Sequence, residues 1–326
     1  MVAAVRVHKQ GGPEALVYED VDVPPPGPGE LRIKQHAIGL NFIDTYFRSG
    51  LYKVANMPFI VGNEGAGEVT AVGAGVTGFH VGDRVGYYLP LGCYAAERNV
   101  PAARTVKLPD GITYQQAAVL MLKGMTVQYL LNQTFKVQRG QTILFHAAAG
   151  GVGLIATQWA HALGAIVIGT VGSKDKAELA RANGCDHTIL YREENFAERV
   201  KEITKGALCD VVYDSVGKDT FPASLDCVKR RGLFVSFGSA SGPLEAFHIF
   251  DLKERGGGGL YATRPTLNEY IATREELVAT ADATFAAFLD GKFKIQINHT
   301  YALKDARRAH EYLEGRKTTG AAVLLP

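Results

Sequence analysis

The stretch Phe145-His146-Ala147-Ala148-Ala149-Gly150-Gly151-Val152-Gly153 sets three glycines between an apolar run, Thr142–His146, and a helical pattern, Gly153–Leu163. Glycines at such a junction let the backbone turn tightly and approach a ligand. The first amides of the helix and its dipole then offer positive charge, an arrangement suited to a dinucleotide pyrophosphate. Aligned on G-x-G-x-x-G, Ala148 holds the first position, Gly150 the second and Gly153 the third. Gly150 would let the backbone approach the phosphates, and Gly153 would let the helix pack on the strand. The plainer alternative is a tight turn without a ligand; the strand–loop–helix context favours the dinucleotide.

The end of the next strand decides which dinucleotide. An acidic residue about 20 positions on would bind the ribose hydroxyls of NAD. Here the chain reads Gly169-Thr170-Val171-Gly172-Ser173-Lys174-Asp175-Lys176. Small residues, a hydroxyl and two lysines stand where the acid would be, an environment that accepts a 2′-phosphate dianion. Lysines in a first helical turn oppose the helix dipole, so a nearby anion accounts for them better than solvated charge does. NADPH is therefore favoured over NADH.

Elements of two kinds must position these groups. The first third is β-rich with dense turns: Val2–Val7, Glu30–Ala37, Gly65–Val72 and Arg84–Tyr88 read as strands, and Pro24–Pro26 as a turn between strands. From about residue 115 strands alternate with helices. The strand candidates are Thr142–His146, Ile166–Val171, His187–Leu190, Asp210–Asp214, Leu233–Phe237 and Leu260–Thr263, with helices such as Gly153–Leu163 and Lys174–Ala182 between them. Such alternation predicts a doubly wound parallel (Rossmann) sheet. After Arg264 the pattern predicts a helix over Leu267–Asp290, a strand over Phe293–Tyr301, a helix over Asp305–Gly315 and a last strand, Ala321–Leu325. Periodicity does not say which sheet the last strands join.

A chain of 326 residues has length for two cores, and 47% hydrophobic and 21% charged residues is an ordinary globular composition. A net charge of +2, spread along the chain, argues against nucleic acid as a partner. Cys93, Cys185, Cys209 and Cys227 form no CxxC pair, and with no secretory start they read as scattered thiols. No apolar run is long enough for a membrane span. The expectation is a cytoplasmic protein.

Further motifs occur in order: Gly39-Leu40-Asn41-Phe42-Ile43-Asp44-Thr45-Tyr46, Arg48-Ser49-Gly50-Leu51-Tyr52, Gly62-Asn63-Glu64-Gly65-Ala66-Gly67, Gly82-Asp83-Arg84-Val85, Lys123-Gly124-Met125-Thr126, Tyr213-Asp214-Ser215-Val216-Gly217 and Arg316-Lys317-Thr318-Thr319-Gly320. With the glycine loop, they make the chain resemble the medium-chain dehydrogenase/reductase superfamily from Met1 to Pro326, and within it the ζ-crystallin-type quinone oxidoreductases. Zinc-dependent relatives carry Cys where this chain has Asn41, His where it has Asn63, and a third Cys near Lys123 or Gly124. Neither amide is a plausible zinc ligand, so the resemblance implies a zinc-independent branch with no metal site.

The resemblance further implies a GroES-like catalytic domain over 1–121, an NADPH-binding domain over 122–265, a return to the catalytic domain over 266–326, and a cleft between the two. It implies a homodimer joined through Gly258–Thr263. By position, Asn41 and Tyr46 would line the nicotinamide end, with Thr126 and Tyr129 under the ring and ribose. Gly150, Gly151 and Val152 would meet the pyrophosphate, and Gly172, Ser173, Lys176 and Tyr191 the adenosine 2′-phosphate side. Phe237, Gly238, Ser239 and Arg264 would face the nicotinamide, while Arg316 or Lys317 closes over the cofactor. Apart from the resemblance, Tyr46 and Tyr52 read as core aromatics, Asn41 as a turn residue, Asp44 as structural and His146 as a packed histidine.

The reaction so implied is hydride transfer from NADPH to a quinone or enone. Asn41, Tyr46 and Tyr52 are the catalytic candidates, as donors to the developing oxyanion or, for the tyrosines, as a proton source. An enone or enoyl-thioester reductase on the same scaffold is the first alternative. A non-enzymatic NADPH- or RNA-binding protein is the alternative of another class.

Overall fold

The computed structural model describes residues 1–244 and 246–326. These divide into two compact units: Met1–Met125 with Ile271–Leu289 and Ile297–Pro326, and Thr126–Tyr270 with Asp290–Gln296.

The first unit opens with β1 (Val2–Val7), β2 (Leu16–Val21), β3 (Glu30–Leu40), β4 (Phe59–Ile60), β5 (Glu64–Val72), β6 (Arg84–Tyr88), β7 (Glu97–Pro101) and β8 (Thr105–Lys107). β3 runs longer than its pattern suggested, because its end, Ile38–Leu40, is buried continuously and does not alternate. β3 and β5 lie so close that a Cβ on Gly67 would stand 2.1 Å from the Lys34 carbonyl oxygen. A helix that periodicity missed, Phe42–Ser49, follows β3, capped at its far end by Gly50 with φ 90°.

The second unit is built on β9 (Thr142–Phe145), β10 (Ile166–Val171), β11 (His187–Leu190), β12 (Cys209–Asp214), β13 (Val228–Ser236) and β14 (Tyr261–Thr263). All pair in parallel in the order β11-β10-β9-β12-β13-β14. This is the expected doubly wound sheet. Chain direction across the sheet reverses between β9 and β12, and in such sheets ligands bind at the carboxyl ends of strands beside that switch.

The long helix predicted over Leu267–Asp290 is two helices, Leu267–Tyr270 and Arg274–Leu289. Thr273 and Glu276 exchange hydrogen bonds as a capping box, the amide of Thr273 to Glu276 Oε2 and the amide of Glu276 to Thr273 Oγ1, and so start a fresh helix. The predicted strand Phe293–Tyr301 also shortens, to β15 (Ile297–Ala302). Phe293 instead stacks on Trp159, and Lys294 and Gln296 bond to Gln158 and Asn183, which keeps this segment in the second unit. β15 and β16 (Ala321–Leu325) then join the first unit, with β16 antiparallel to β3 in the order β15-β16-β3-β5-β6-β8. No helix of the described residues is long and apolar enough to cross a membrane.

Candidate active site

In the second unit, β9 ends at Phe145 and the helix Gly151–Ala162 begins with Gly150 as N-cap. Ala147 takes a left-handed φ of 54° in the loop between them. A Cβ on Gly153 would lie 2.4 Å and 2.6 Å from the carbonyl oxygens of Ala147 and Ala148, so only glycine lets the helix sit this close to the loop. A Cβ on Gly150 would meet only the Ala147 oxygen, at 3.2 Å. Gly150 therefore faces space that phosphates can occupy, while Gly153 is consumed by packing.

At the end of β10, Ser173 caps the helix Lys174–Arg181 by accepting from the Lys176 amide, which leaves its own hydroxyl hydrogen to donate. Gly172 lies against Tyr191 and Arg192: a Cβ there would stand 3.5 Å from Arg192 Nε and 3.6 Å from Tyr191 Cε1. The guanidinium lies 5.9 Å from the centre of the Tyr191 ring and is exposed to solvent. Sequence reading singled out Gly172, Ser173, Lys176 and Tyr191 but missed Arg192. The signal was a basic residue two positions past the end of β11, one strand beyond the place where the acid was sought. Arg192 thus lies against the residue that precedes the Ser173 cap, and a guanidinium is suited to pairing with a phosphate.

Of the remaining candidates of this unit, Phe237, Gly238, Ser239 and Arg264 follow the ends of β13 and β14, whereas Thr126 and Tyr129 lie on the helix Met125–Tyr129. Phe237 packs on Phe145 with ring centres 5.6 Å apart, and its amide donates to the Asp214 carbonyl. Gly238 passes so near Ser215 that a Cβ would stand 2.6 Å from the Ser215 oxygen, with Ser239 next along the chain. Arg264 donates to the Ser236 carbonyl at 3.0 Å. Thr126 is buried, as is Tyr129, whose ring stacks on Tyr270 at 4.4 Å.

Beneath the switch point lies a buried polar knot. Asp214 accepts from the amides of Val216 and Gly217 and from the hydroxyls of Thr220 and Ser224. His146 bonds Thr170 through Nδ1 and Ser224 through Nε2, and burial holds its pKa below the usual imidazole range against the pull of Asp214. With the Ser224 proton directed to Asp214, Nε2 of His146 is the protonated nitrogen. His146 is wholly buried, as are Ser224 and Asp214, so this Ser–His–Asp grouping braces the strand ends and offers no accessible nucleophile.

In the first unit, Asn41 precedes the helix Phe42–Ser49 and is buried, with its amide nitrogen 2.8 Å from Glu64 Oε1. Lys123 Nζ reaches the same oxygen at 3.0 Å. Asp44 accepts from the Asn41 backbone amide, from Asn63 Nδ2 at 2.6 Å and from the Tyr94 hydroxyl. Tyr46 and Tyr52 meet edge-on with centres 5.3 Å apart, Tyr46 buried and Tyr52 half-buried. Arg316 takes a left-handed φ of 55° after the helix Ala306–Glu314, and Lys317 Nζ lies 5.4 Å from the Tyr312 ring centre.

The described cysteines are unpaired and buried, and burial pushes the Cys93 thiol up to about 11 and Cys185 to about 12. They have the environment of inert core thiols.

Two family models match the chain, the alcohol dehydrogenase GroES-like domain over residues 27–131 and the zinc-binding dehydrogenase over residues 151–275. A quinone oxidoreductase of Pseudomonas aeruginosa is 54% identical over 327 residues, covering 100% of both chains. A 2-haloacrylate reductase of a Burkholderia species is 48% identical, covering 100% of this chain and 99% of its own length. Among solved structures, Escherichia coli quinone oxidoreductase complexed with NADPH superposes with a TM-score of 0.97 at 48% identity, over 99% of this chain and 100% of that one. The chain thus combines a GroES-like domain with a Rossmann-like parallel sheet.

The residues present do not fit the metal that the second family description names. Of the positions that the resemblance matches to zinc ligands, two hold the carboxamides Asn41 and Asn63, which donate to Glu64 and Asp44, and the third lies near Lys123 or Gly124, where the Lys123 ammonium pairs with Glu64. Among the described residues, no group of three or more His, Cys, Asp or Glu side chains stands together to hold a metal ion.

Proposed function

The chain belongs to the quinone oxidoreductases of the medium-chain dehydrogenase/reductase family, and on that premise we propose that it transfers hydride from NADPH to a quinone or another small conjugated carbonyl compound without zinc. The observation that carries the reading is the end of β10, where Gly172, Ser173, Lys176 and Arg192 offer a hydroxyl and two cations in place of the acid that would select NADH. When bound, the nicotinamide supplies the hydride.

The chain's own residues bind, orient and exclude water. In this proposal Gly150, Gly151 and Val152 hold the pyrophosphate at the helix N-terminus. Gly172, Ser173, Lys176, Tyr191 and Arg192 hold the 2′-phosphate. Thr126, Tyr129, Phe237, Gly238, Ser239 and Arg264 serve the nicotinamide end, and Arg316 and Lys317 close over the cofactor. Asn41, Tyr46 and Tyr52 direct hydrogen-bond donors at the acceptor oxygen that gains negative charge. An already electron-poor acceptor takes hydride without a Lewis acid, which accords with carboxamides in the metal-ligand positions. A quinone draws its protons from water, so the tyrosine hydroxyls need only stabilise charge.

The protein would act in the cytoplasm as a homodimer. The β14 edge favours that assembly: β14 ends the sheet order of the described strands, and Tyr261 on it is 62% exposed.

The 2-haloacrylate reductase relative favours a second reading, reduction of an activated carbon–carbon double bond by the same site. Turnover of 1,4-benzoquinone against 2-chloroacrylate and a crotonyl thioester, each with NADPH, separates the two. Preference for the quinone supports the first reading and preference for an alkene the second.

A further inference from the structure

Glu64 is a fully buried carboxylate with its surroundings built around it. Oε1 accepts from Asn41 Nδ2 and Lys123 Nζ, and Oε2 accepts from the Leu122 amide at 2.6 Å. Gly39 makes the room: a Cβ there would stand 2.1 Å from Oε1. The Leu122 amide that donates to the carboxylate lies in the widened turn Leu120–Gly124. Lys123 is 5% exposed and Asn41 7%, so both charges and the amide are withdrawn from water. Buried ion pairs seldom stabilise a fold better than apolar residues of equal volume would, so such a pair points to a role other than stability.

The chemistry of the three groups supplies one. A carboxylate only accepts, so Glu64 dictates which end of the Asn41 carboxamide turns toward it, the nitrogen. That nitrogen carries two hydrogens, and one is spent on Glu64. We propose that Lys123 and Glu64 are positioning residues for Asn41, holding its second N–H toward the acceptor oxygen that gains charge as hydride arrives. The ammonium balances the buried carboxylate, the carboxylate fixes the amide, and the amide meets the oxygen. The inference rests on the reading of Asn41 given above.

A double-mutant cycle on the full-length protein tests it, with NADPH and 1,4-benzoquinone as substrates and fluorescence titration for NADPH affinity. K123M should lower kcat by roughly tenfold, the order expected for weakening one oxyanion donor, while the quinone KM and the NADPH Kd stay within about twofold. In the N41A background the same change should cost less than about twofold, because its route to the substrate is already cut. K123R should restore a large share of the lost kcat. E64Q/K123M guards against a folding failure: its neutral pair leaves no buried charge, yet a glutamine amide can present either end, so kcat should fall as in K123M. An equal loss from K123M in both backgrounds, a loss confined to KM or NADPH affinity, or full activity of E64Q/K123M would overturn the proposal. Wild-type protein that neither bound NADPH nor turned over quinone would instead defeat the functional reading beneath it.

Discussion

Asp44 and His310 are joined through one phenol: the hydroxyl of Tyr94 stands 3.0 Å from Asp44 Oδ2 and 3.0 Å from His310 Nε2. Arg48, itself paired with Glu314, donates to His310 Nδ1 at 3.1 Å. Nδ1 must therefore accept and Nε2 carry the proton, so each donor in the chain points onward to Asp44. Burial, with the Arg48 charge adding to it, pushes His310 down to about 3. Burial pushes Asp44 up to about 7, against the hydrogen bonds from Asn63, Asn41 and Tyr94 and the charge of Lys123.

These shifts act on stability in opposite directions. Unfolded His310 binds a proton that the folded state refuses between about pH 3 and 6.5, so its contribution is present above that window and lost as pH falls. Folded Asp44 holds a proton that the unfolded state releases between about pH 4 and 7, so its contribution is lost as pH rises. The wild-type stability curve should be shallow across their overlap. Urea denaturation from pH 4 to 8 should show H310Q losing stability as pH rises and D44N losing it as pH falls. Each slope should differ from wild type by about 1 kcal/mol per pH unit. Parallel curves for all three proteins would contradict this.

Arg192 should govern the choice of nucleotide. R192A should weaken NADPH binding by roughly tenfold or more, the worth of a charge-assisted hydrogen bond to phosphate, and leave NADH binding unchanged. Parallel titrations with the two nucleotides check it; equal losses would place Arg192 outside the 2′-phosphate site.

The glycines of the loop should separate by role. In G153A the new methyl meets the Ala147 and Ala148 carbonyls, so melting temperature and NADPH binding should fall together. In G150A the backbone has more room, and NADPH binding should fall while the melting temperature holds within a few degrees. Thermal denaturation and fluorescence titration of both variants decide the matter.

Tyr52 should matter to turnover and little to binding. Y52F keeps the ring that packs on Tyr46 and Phe47 and removes only the hydroxyl. Its kcat with benzoquinone should fall roughly tenfold if the hydroxyl meets the developing oxyanion. An unchanged rate would remove Tyr52 from the mechanism.

What the sequence disclosed followed how local each signal was. The glycine loop and the strand before it are contiguous, and the parallel sheet announces itself through continuous apolar runs. The helix Phe42–Ser49 was missed because eight residues carry little periodicity and its buried face includes Asp44, Thr45 and Arg48. The break before Arg274 was legible in Thr273 and Glu276, three residues apart, but apolar periodicity runs across it. Arg192 stands one strand beyond Gly172 in the sequence, and only the pairing of β10 with β11 brings the two together. The network from Lys123 through Glu64 and Asn41 to Asp44, Tyr94 and His310 is assembled from distant segments, so no spacing rule finds it.

The most direct test of the central claim is a fluorescence titration of the purified protein with NADPH and with NADH, followed by addition of 1,4-benzoquinone and measurement of nucleotide oxidation. The account predicts tighter binding of NADPH than of NADH and rapid quinone-dependent oxidation of the bound nucleotide. Binding of neither nucleotide, or NADPH binding with no oxidation by quinone, would contradict it.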